Sequence, residues 1–188
     1  MPKVLLDMAI SLDGFICRPD GSDGGLYDWY FAPSAASAPV VAELAETTGA
    51  IVVGRGAFGT GEDASGWDDT PYQVKQFVIT HRPPAPLPER RVEFVFVEGD
   101  PQHVVDLAGA AAGDRYVTIG GGADIARQFL AADLVDELQL HVVPVIFGGG
   151  LPLFNSGLFG SNDETRRWSK VRVVDAPNVT HLRYRFER

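Results

Sequence analysis

The chain has 188 residues, 45% of them hydrophobic and 22% charged, with a formal net charge of −9, which is the profile of a globular chain long enough to bury about 70% of its unfolded surface in one domain. That acidity sets the surface against nucleic-acid phosphates and anionic membranes; no apolar run approaches the roughly 20 residues of a membrane helix, and the opening MPKVLLDMAI lacks a signal peptide's basic flank and cleavage site. The single Cys17 excludes an internal disulfide and no Cys/His pair stands at zinc spacing, so the expectation is a cytoplasmic protein with no metal and with neither nucleic acid nor membrane as partner.

In chain order, residues 4–10 (VLLDMAI) predict a strand buried on both faces, interrupted only by Asp7 and ending at the SLDG of residues 11–14. Gly14 turns the chain, residues 15–17 resume an extended path, and PDGSDGG at 19–25 is a loop suited to a flap. After the aromatic LYDWYFAP, a helix is predicted over residues 38–48, with Pro39 in its first turn and Val41, Leu44, Ala45 and Thr48 facing inward. Residues 50–53 predict a second buried strand that leaves through GRGAFGTG, and residues 61–71 read as surface loop. A strand over 76–80 stops at His81-Arg82-Pro83-Pro84, because the prolines forbid its continuation. Residues 92–97 alternate as a strand, and Asp100-Pro101 gives an N-cap with proline at the first helical position of a helix that ends at Gly113.

Residues 116–119 form a short β-branched run, Gly120-Gly121-Gly122 a turn without side chains, and Ile125, Phe129 and Leu130 recur at helical spacing. Residues 134–143 then alternate as a strand parallel to 116–119. Three glycines at the corner allow positive φ and close approach to the main chain, and the helix's first turn presents unpaired N–H groups, a phosphate-binding geometry. Close packing alone is the competing use of such glycines. The dinucleotide fingerprint of the doubly wound fold fits poorly, since the glycines are contiguous and late and Glu137 lies inside the next strand. Residues 167–174 and 179–186 read as a hairpin about Ala176-Pro177-Asn178, with Leu182, Tyr184 and Phe186 opposed to a wet face of Arg183, Arg185 and Glu187. The whole predicts a single α/β domain over 1–188: three layers, a mostly parallel mixed sheet flanked by helices, and a C-terminal antiparallel hairpin.

Ligands of an open α/β sheet collect outside the carboxyl ends of its strands. Here those ends carry SLDG (11–14), GRG (54–56), THR (80–82) and GGG (120–122). Arg55 and Arg82, with Thr80 and His81, can surround a phosphate; solvated loop arginines are the alternative. Asp13 is the acid best placed for the cleft, although an aspartate before glycine also serves its own turn. No G-x-S-x-G elbow, Cys-His pair or Walker lysine is present, and His103 and His181 have no visible partner.

The order IGGG, QFL and LVDELQLHVVPVIFGGGLPLF, together with the opening MAISLDGFI, resembles the dihydrofolate-reductase-like superfamily. It is most similar to the reductase domain of the bifunctional riboflavin-biosynthesis deaminase/reductase, over nearly the whole chain. The resemblance implies NADPH as cofactor, held by Ala9, Gly14, Phe15 and Ile16, by Gly54, Arg55, Thr80, His81 and Arg82, and by Gly120, Gly121, Gly122, Ala123 and Asp124. It implies a place near the substrate for Asp13 and for His141, a satisfied strand histidine being the alternative for the latter; Trp29 and Tyr30 are further candidate substrate contacts, although such residues more often serve core or dimer packing. Asp28 loosely resembles the acid that dihydrofolate reductases use at the pterin, in a local pattern that departs from theirs. Asp13, Asp28 or a water held by either is the expected proton source. The zinc ligands of a deaminase half, H-x-E and P-C-x-x-C, cannot come from one cysteine. The expected function is NADPH-dependent hydride transfer to a C=N or C=O bond of a small heterocyclic or sugar-nucleotide-like substrate, in a chain able to form a homodimer. A non-catalytic NADPH-binding module and a scaffold for protein contacts are the alternatives.

Overall fold

An eight-stranded sheet is built around the apolar opening strand, β1 (Val4–Ser11). The computed structural model describes residues 2–58, 72–82, 91–160 and 165–187; the loop expected over 61–71 and the prolines at 83 and 84 lie outside the described residues. The other elements are β2 (Phe15–Cys17), α1 (Asp28–Phe31), α2 (Ala38–Thr47), β3 (Thr48–Gly54), α3 (Arg55–Phe58), β4 (Lys75–Ile79), β5 (Phe94–Val97), α4 (Pro101–Ala112), β6 (Tyr116–Ile119), α5 (Ala123–Ala131), β7 (Glu137–Val143), β8 (Leu151–Pro152), β9 (Trp168–Ala176) and β10 (Val179–Phe186). The strand order is β5-β4-β3-β6-β1-β7-β10-β9, with β2 and β8 paired separately. The six strands from β5 to β7 run parallel. β10 then pairs antiparallel with both β7 and β9. β6 and β7 are parallel as their spacing predicts, but β1 is inserted between them.

The alternation of β1 distributes the core. Val4, Leu6, Met8 and Ile10 pack with Val104, Val105 and Ala108 of α4 and with Ile125, Ala126 and Phe129 of α5. On the opposite face Leu5 meets Val40 and Leu44 of α2, and Ala9 meets Trp29 of α1. Burying each such aliphatic or aromatic side chain contributes about 1.5–3 kcal/mol, which is why a strand this apolar takes the centre. Asp7 shares the face of Leu5 and Ala9 and is only partly buried.

Two expectations change in detail. The buried stripe of α2 is Val40 and Leu44, one helical turn apart, with Val41 and Ala45 half-buried, and Thr48 opens β3 with its hydroxyl 2.9 Å from that of Thr118. The expected wet face of β10 is not wet at Arg183, which is 6% exposed. Arg183 donates to Glu137 at 2.7 Å, to Glu43 of α2 at 3.0 Å and to Gln139 at 3.2 Å, so α2 covers this part of the sheet through charge pairing. The α4 cap is as the sequence predicts, Asp100 accepting from the His103 N–H at 2.9 Å.

Two glycine corners interlock at the carboxyl edge. The Gly54 N–H donates to the Gly121 carbonyl at 2.7 Å and the Gly120 N–H to the Val52 carbonyl at 2.9 Å. A Cβ on Gly54 would stand 2.7 Å from Ile125 Cγ1, and Gly121 has φ of +116°, so neither position accepts a side chain without strain.

Candidate active site

A cavity of about 1350 Å³ opens over the carboxyl ends of β1, β3, β4 and β6, larger than the roughly 300–1,000 Å³ of an ordinary small-ligand pocket. Of the residues expected to hold cofactor, Ala9, Ile16, Gly54, Arg55, Thr80, His81, Arg82, Gly120, Gly121, Gly122, Ala123 and Asp124 line it. Trp29 and His141 line it as well. Asp13, Gly14, Phe15 and Asp28 do not.

The cavity has two chemically different ends. Arg82 and Arg55 follow β4 and β3, which lie three and two strand spacings from β1, about 14 and 10 Å. His81 and Arg82 are exposed, with His81 4.0 Å from Glu98. The Thr80 hydroxyl is committed to its own turn, donating to the Arg82 carbonyl at 3.1 Å and accepting the Arg82 N–H at 3.0 Å. It therefore shapes the loop that carries the guanidinium. Between these arginines and β1 the wall is the glycine corner and the first turn of α5, where Asp124 accepts a hydrogen bond from Gln128 at 2.9 Å.

The other end is aromatic and acidic. Tyr27, Trp29, Tyr30, Phe31 and Tyr72 line it with Asp7 and Asp23, and among the described residues neither lysine nor arginine does. The Tyr30 and Tyr72 rings stack at 6.2 Å between centroids. Burial, then the Asp7 and Asp23 carboxylates, push the Tyr27 hydroxyl up to about 12. Burial likewise raises Tyr30 and Tyr72, so all three phenols are neutral at neutral pH.

Asp7 is held from behind. Its Oδ1 lies 2.8 Å from His141 Nε2, His141 Nδ1 lies 2.6 Å from His181 Nδ1, and His181 Nε2 lies 3.1 Å from the Ser37 hydroxyl. Strand register explains the row, because Ala9 and His181 are the direct neighbours of His141 across β1, β7 and β10. Trp29 covers both imidazoles, with ring centroids at 4.2 and 4.8 Å. Burial, and then the facing His141, push the His181 imidazole down to about 4. Both ring nitrogens of His141 are engaged by the protein, and this residue, expected to contact substrate, lines the cavity from behind Asp7.

Asp13 has a different setting. It accepts from the Ser11 hydroxyl at 2.6 Å, the Gly148 N–H at 2.7 Å and the Phe147 N–H at 3.1 Å. The Ser11 hydroxyl foremost, with those N–H groups and against partial desolvation, holds its carboxyl below the usual range. Asp13 thus ties the SLDG turn to the PVIFGGG segment. Asp28 opens α1 with its side chain exposed while its neighbours Tyr27 and Trp29 face the cavity. The sequence reading missed Asp7, Tyr27, Tyr72 and His181, while Tyr30, weighed there beside Trp29, lines the cavity. Asp7 had a signal, a lone carboxylate in an apolar strand on the same face as Ala9.

Residues 2–182 match the model of the RibD C-terminal domain. The chain belongs to that family. The uncharacterized protein YwjB of Bacillus subtilis is 28% identical over 154 residues, 81% of this chain and 83% of that protein. Among solved structures, the "Putative riboflavin biosynthesis protein" of Shewanella sp. PV-4 is 25% identical with a TM-score of 0.73, covering all of both chains. The dihydrofolate reductase of Enterococcus faecalis, complexed with NADP(H), aligns over 99% of this chain and 97% of its own at 18% identity and a TM-score of 0.59. The RibD C-terminal domain is here a dihydrofolate-reductase-like fold, the scaffold of a family of reductases.

Proposed function

We propose that this RibD C-terminal domain protein is an NADPH-dependent reductase of a small nitrogen heterocycle. The observation that carries the reading is the division of one cavity into a glycine-floored end with arginines and an aromatic end with a carboxylate. The residues fit the cofactor. Gly120–Gly122 offer main chain without side chains, α5 offers the unpaired N–H groups of its first turn, and Arg55 and Arg82 suit a 2′-phosphate. The NADP(H) complex of the Enterococcus relative on the same fold supports this assignment. Bound NADPH supplies a hydride to one atom of a C=N or C=O bond.

The chain's own residues orient the substrate and supply the proton. Neutral tyrosines and Trp29 form apolar walls for a planar ring. Among the described residues no hydrogen bond reaches Asp7 Oδ2, which leaves it to meet an N–H or O–H of the substrate. Among the described residues that line this end, no lysine or arginine stands with Asp7 and Asp23 to meet the phosphate of a phosphorylated sugar, so a ring without phosphate is favoured.

The test is consumption of NADPH with amino-substituted pyrimidines and pteridines, against ribose phosphates and simple carbonyl compounds. Oxidation with the heterocycles is the expected outcome. Oxidation with phosphorylated sugars alone would overturn the substrate assignment, and NADPH binding without oxidation by any compound would favour a non-catalytic binding module.

A further inference from the structure

Resting on that reading, we propose that the row Asp7–His141–His181–Ser37–Ser34 is a proton relay that recharges Asp7 from the protein surface while the cavity is filled.

Four hydrogen bonds join these residues, Ser34 and Ser37 hydroxyls closing the row at 3.2 Å. The row begins at a carboxylate facing the cavity, passes through two imidazoles and a serine that are each 3% exposed or less, and ends at half-buried Ser34 in the connection between α1 and α2. Every group in it both donates and accepts, so one sense of polarity satisfies all of them. With Asp7 ionised, His141 Nε2–H donates to Asp7, His181 Nδ1–H to His141, Ser37 Oγ–H to His181 and Ser34 Oγ–H to Ser37. In this state the Ser34 oxygen accepts the Ser37 N–H at 3.2 Å while its hydroxyl points to Ser37. With Asp7 protonated, the whole row reverses. Two neutral imidazoles in opposite tautomers permit both states.

The balance is simple. When the Asp7 O–H bond breaks, its proton forms the new N–H or O–H bond of the reduced substrate, while the hydride has supplied the C–H bond and both electrons. The charging step comes before this: with the cavity filled, ionised Asp7 takes the His141 Nε2 proton, His141 Nδ1 the His181 Nδ1 proton, His181 Nε2 the Ser37 proton, Ser37 the Ser34 proton and Ser34 one from solvent, which leaves the row reversed. Once product has left, Asp7 takes a proton from water entering the cavity and one passes outward along the row through Ser34, which restores the first polarity. No residue in the row changes net charge after the cycle. The groups facing the imidazoles suit such exchange: Trp29 excludes water, Asp7 favours a proton, and His141 and Arg172 oppose a resident cation on His181.

The experiment is nitrogen-15 NMR of the histidine side chains at neutral pH, with Ser37→Ala and Ser37→Thr variants. The expected spectrum has His141 and His181 neutral and in opposite tautomers. The shared Nδ1 proton exchanges with solvent about tenfold more slowly, or slower still, in Ser37→Ala, and Ser37→Thr restores the rate. Identical tautomers, an imidazolium at either position, or unchanged exchange in Ser37→Ala would overturn the relay. In turnover, Ser37→Ala lowers kcat about tenfold with the KM for NADPH unchanged and a larger solvent isotope effect; an unchanged kcat would remove the relay from catalysis. Failure of the reductase reading is seen separately, as absent NADPH binding by the wild-type protein.

Discussion

Asp7→Asn lowers kcat for NADPH oxidation by about 10²–10⁴-fold and leaves NADPH affinity within about twofold of wild type. The substitution keeps the shape of the side chain and an oxygen to accept from His141 Nε2, 2.8 Å away, so the row behind it stays in place. What disappears is a group that can carry a proton into the cavity. Asp13→Asn, by contrast, acts through the SLDG turn, because all the Asp13 partners are protein groups outside the cavity. Steady-state kinetics on the heterocycle that supports oxidation separates the two. A normal kcat for Asp7→Asn would remove Asp7 from proton transfer and return the donor to a water.

Glu137→Ala destabilises the fold by about 3 kcal/mol, the low end of the cost of breaking a buried ion pair by removing one partner. Glu137 is 5% exposed and binds Arg183 at 2.7 Å and Arg185 at 3.0 Å. Burial opposes its ionisation, yet Arg183 and then Arg185 hold its carboxyl below the usual range. Without it the buried Arg183 keeps, among the described residues, Glu43, itself shared with Arg172, the amide oxygen of Gln139 and the face of the Tyr116 ring. Replacing Glu137 and Arg183 together by leucine recovers much of the loss, since no uncompensated charge then remains. Urea unfolding measures both changes; a loss below about 1 kcal/mol for Glu137→Ala would mean that Glu43 alone satisfies the guanidinium.

The parts legible in the sequence were those encoded by local pattern. Parallel strands announced themselves as apolar runs, the α4 cap as Asp100-Pro101, and the glycine corners as bare main chain at strand ends, so the ligand edge of the sheet followed. Lateral relationships were hidden. Nothing in residues 4–10 says that β1 separates β6 from β7, and nothing in residues 179–186 says that His181 falls beside His141, because register across a sheet depends on pairing between distant segments. The same ignorance turned Arg183 into a presumed wet residue, whereas its charge is answered by Glu43 and Glu137, 140 and 46 positions away. Asp13 was favoured for its place at a strand end, yet two of the three hydrogen bonds it accepts come from Phe147 and Gly148, far along the chain. Asp7 was visible as an oddity, and only the alternation it shares with Ala9 pointed toward the cavity.

Titration of the purified protein with NADPH and then NADH tests the central claim most directly, with quenching of tryptophan emission and energy transfer to the reduced nicotinamide as the signals. Trp29 lines the cavity and reports from within it. The account predicts saturable NADPH binding, NADH binding weaker by about tenfold or more, and loss of that preference when Arg55 and Arg82 are replaced together by alanine. Binding of neither nucleotide would contradict it.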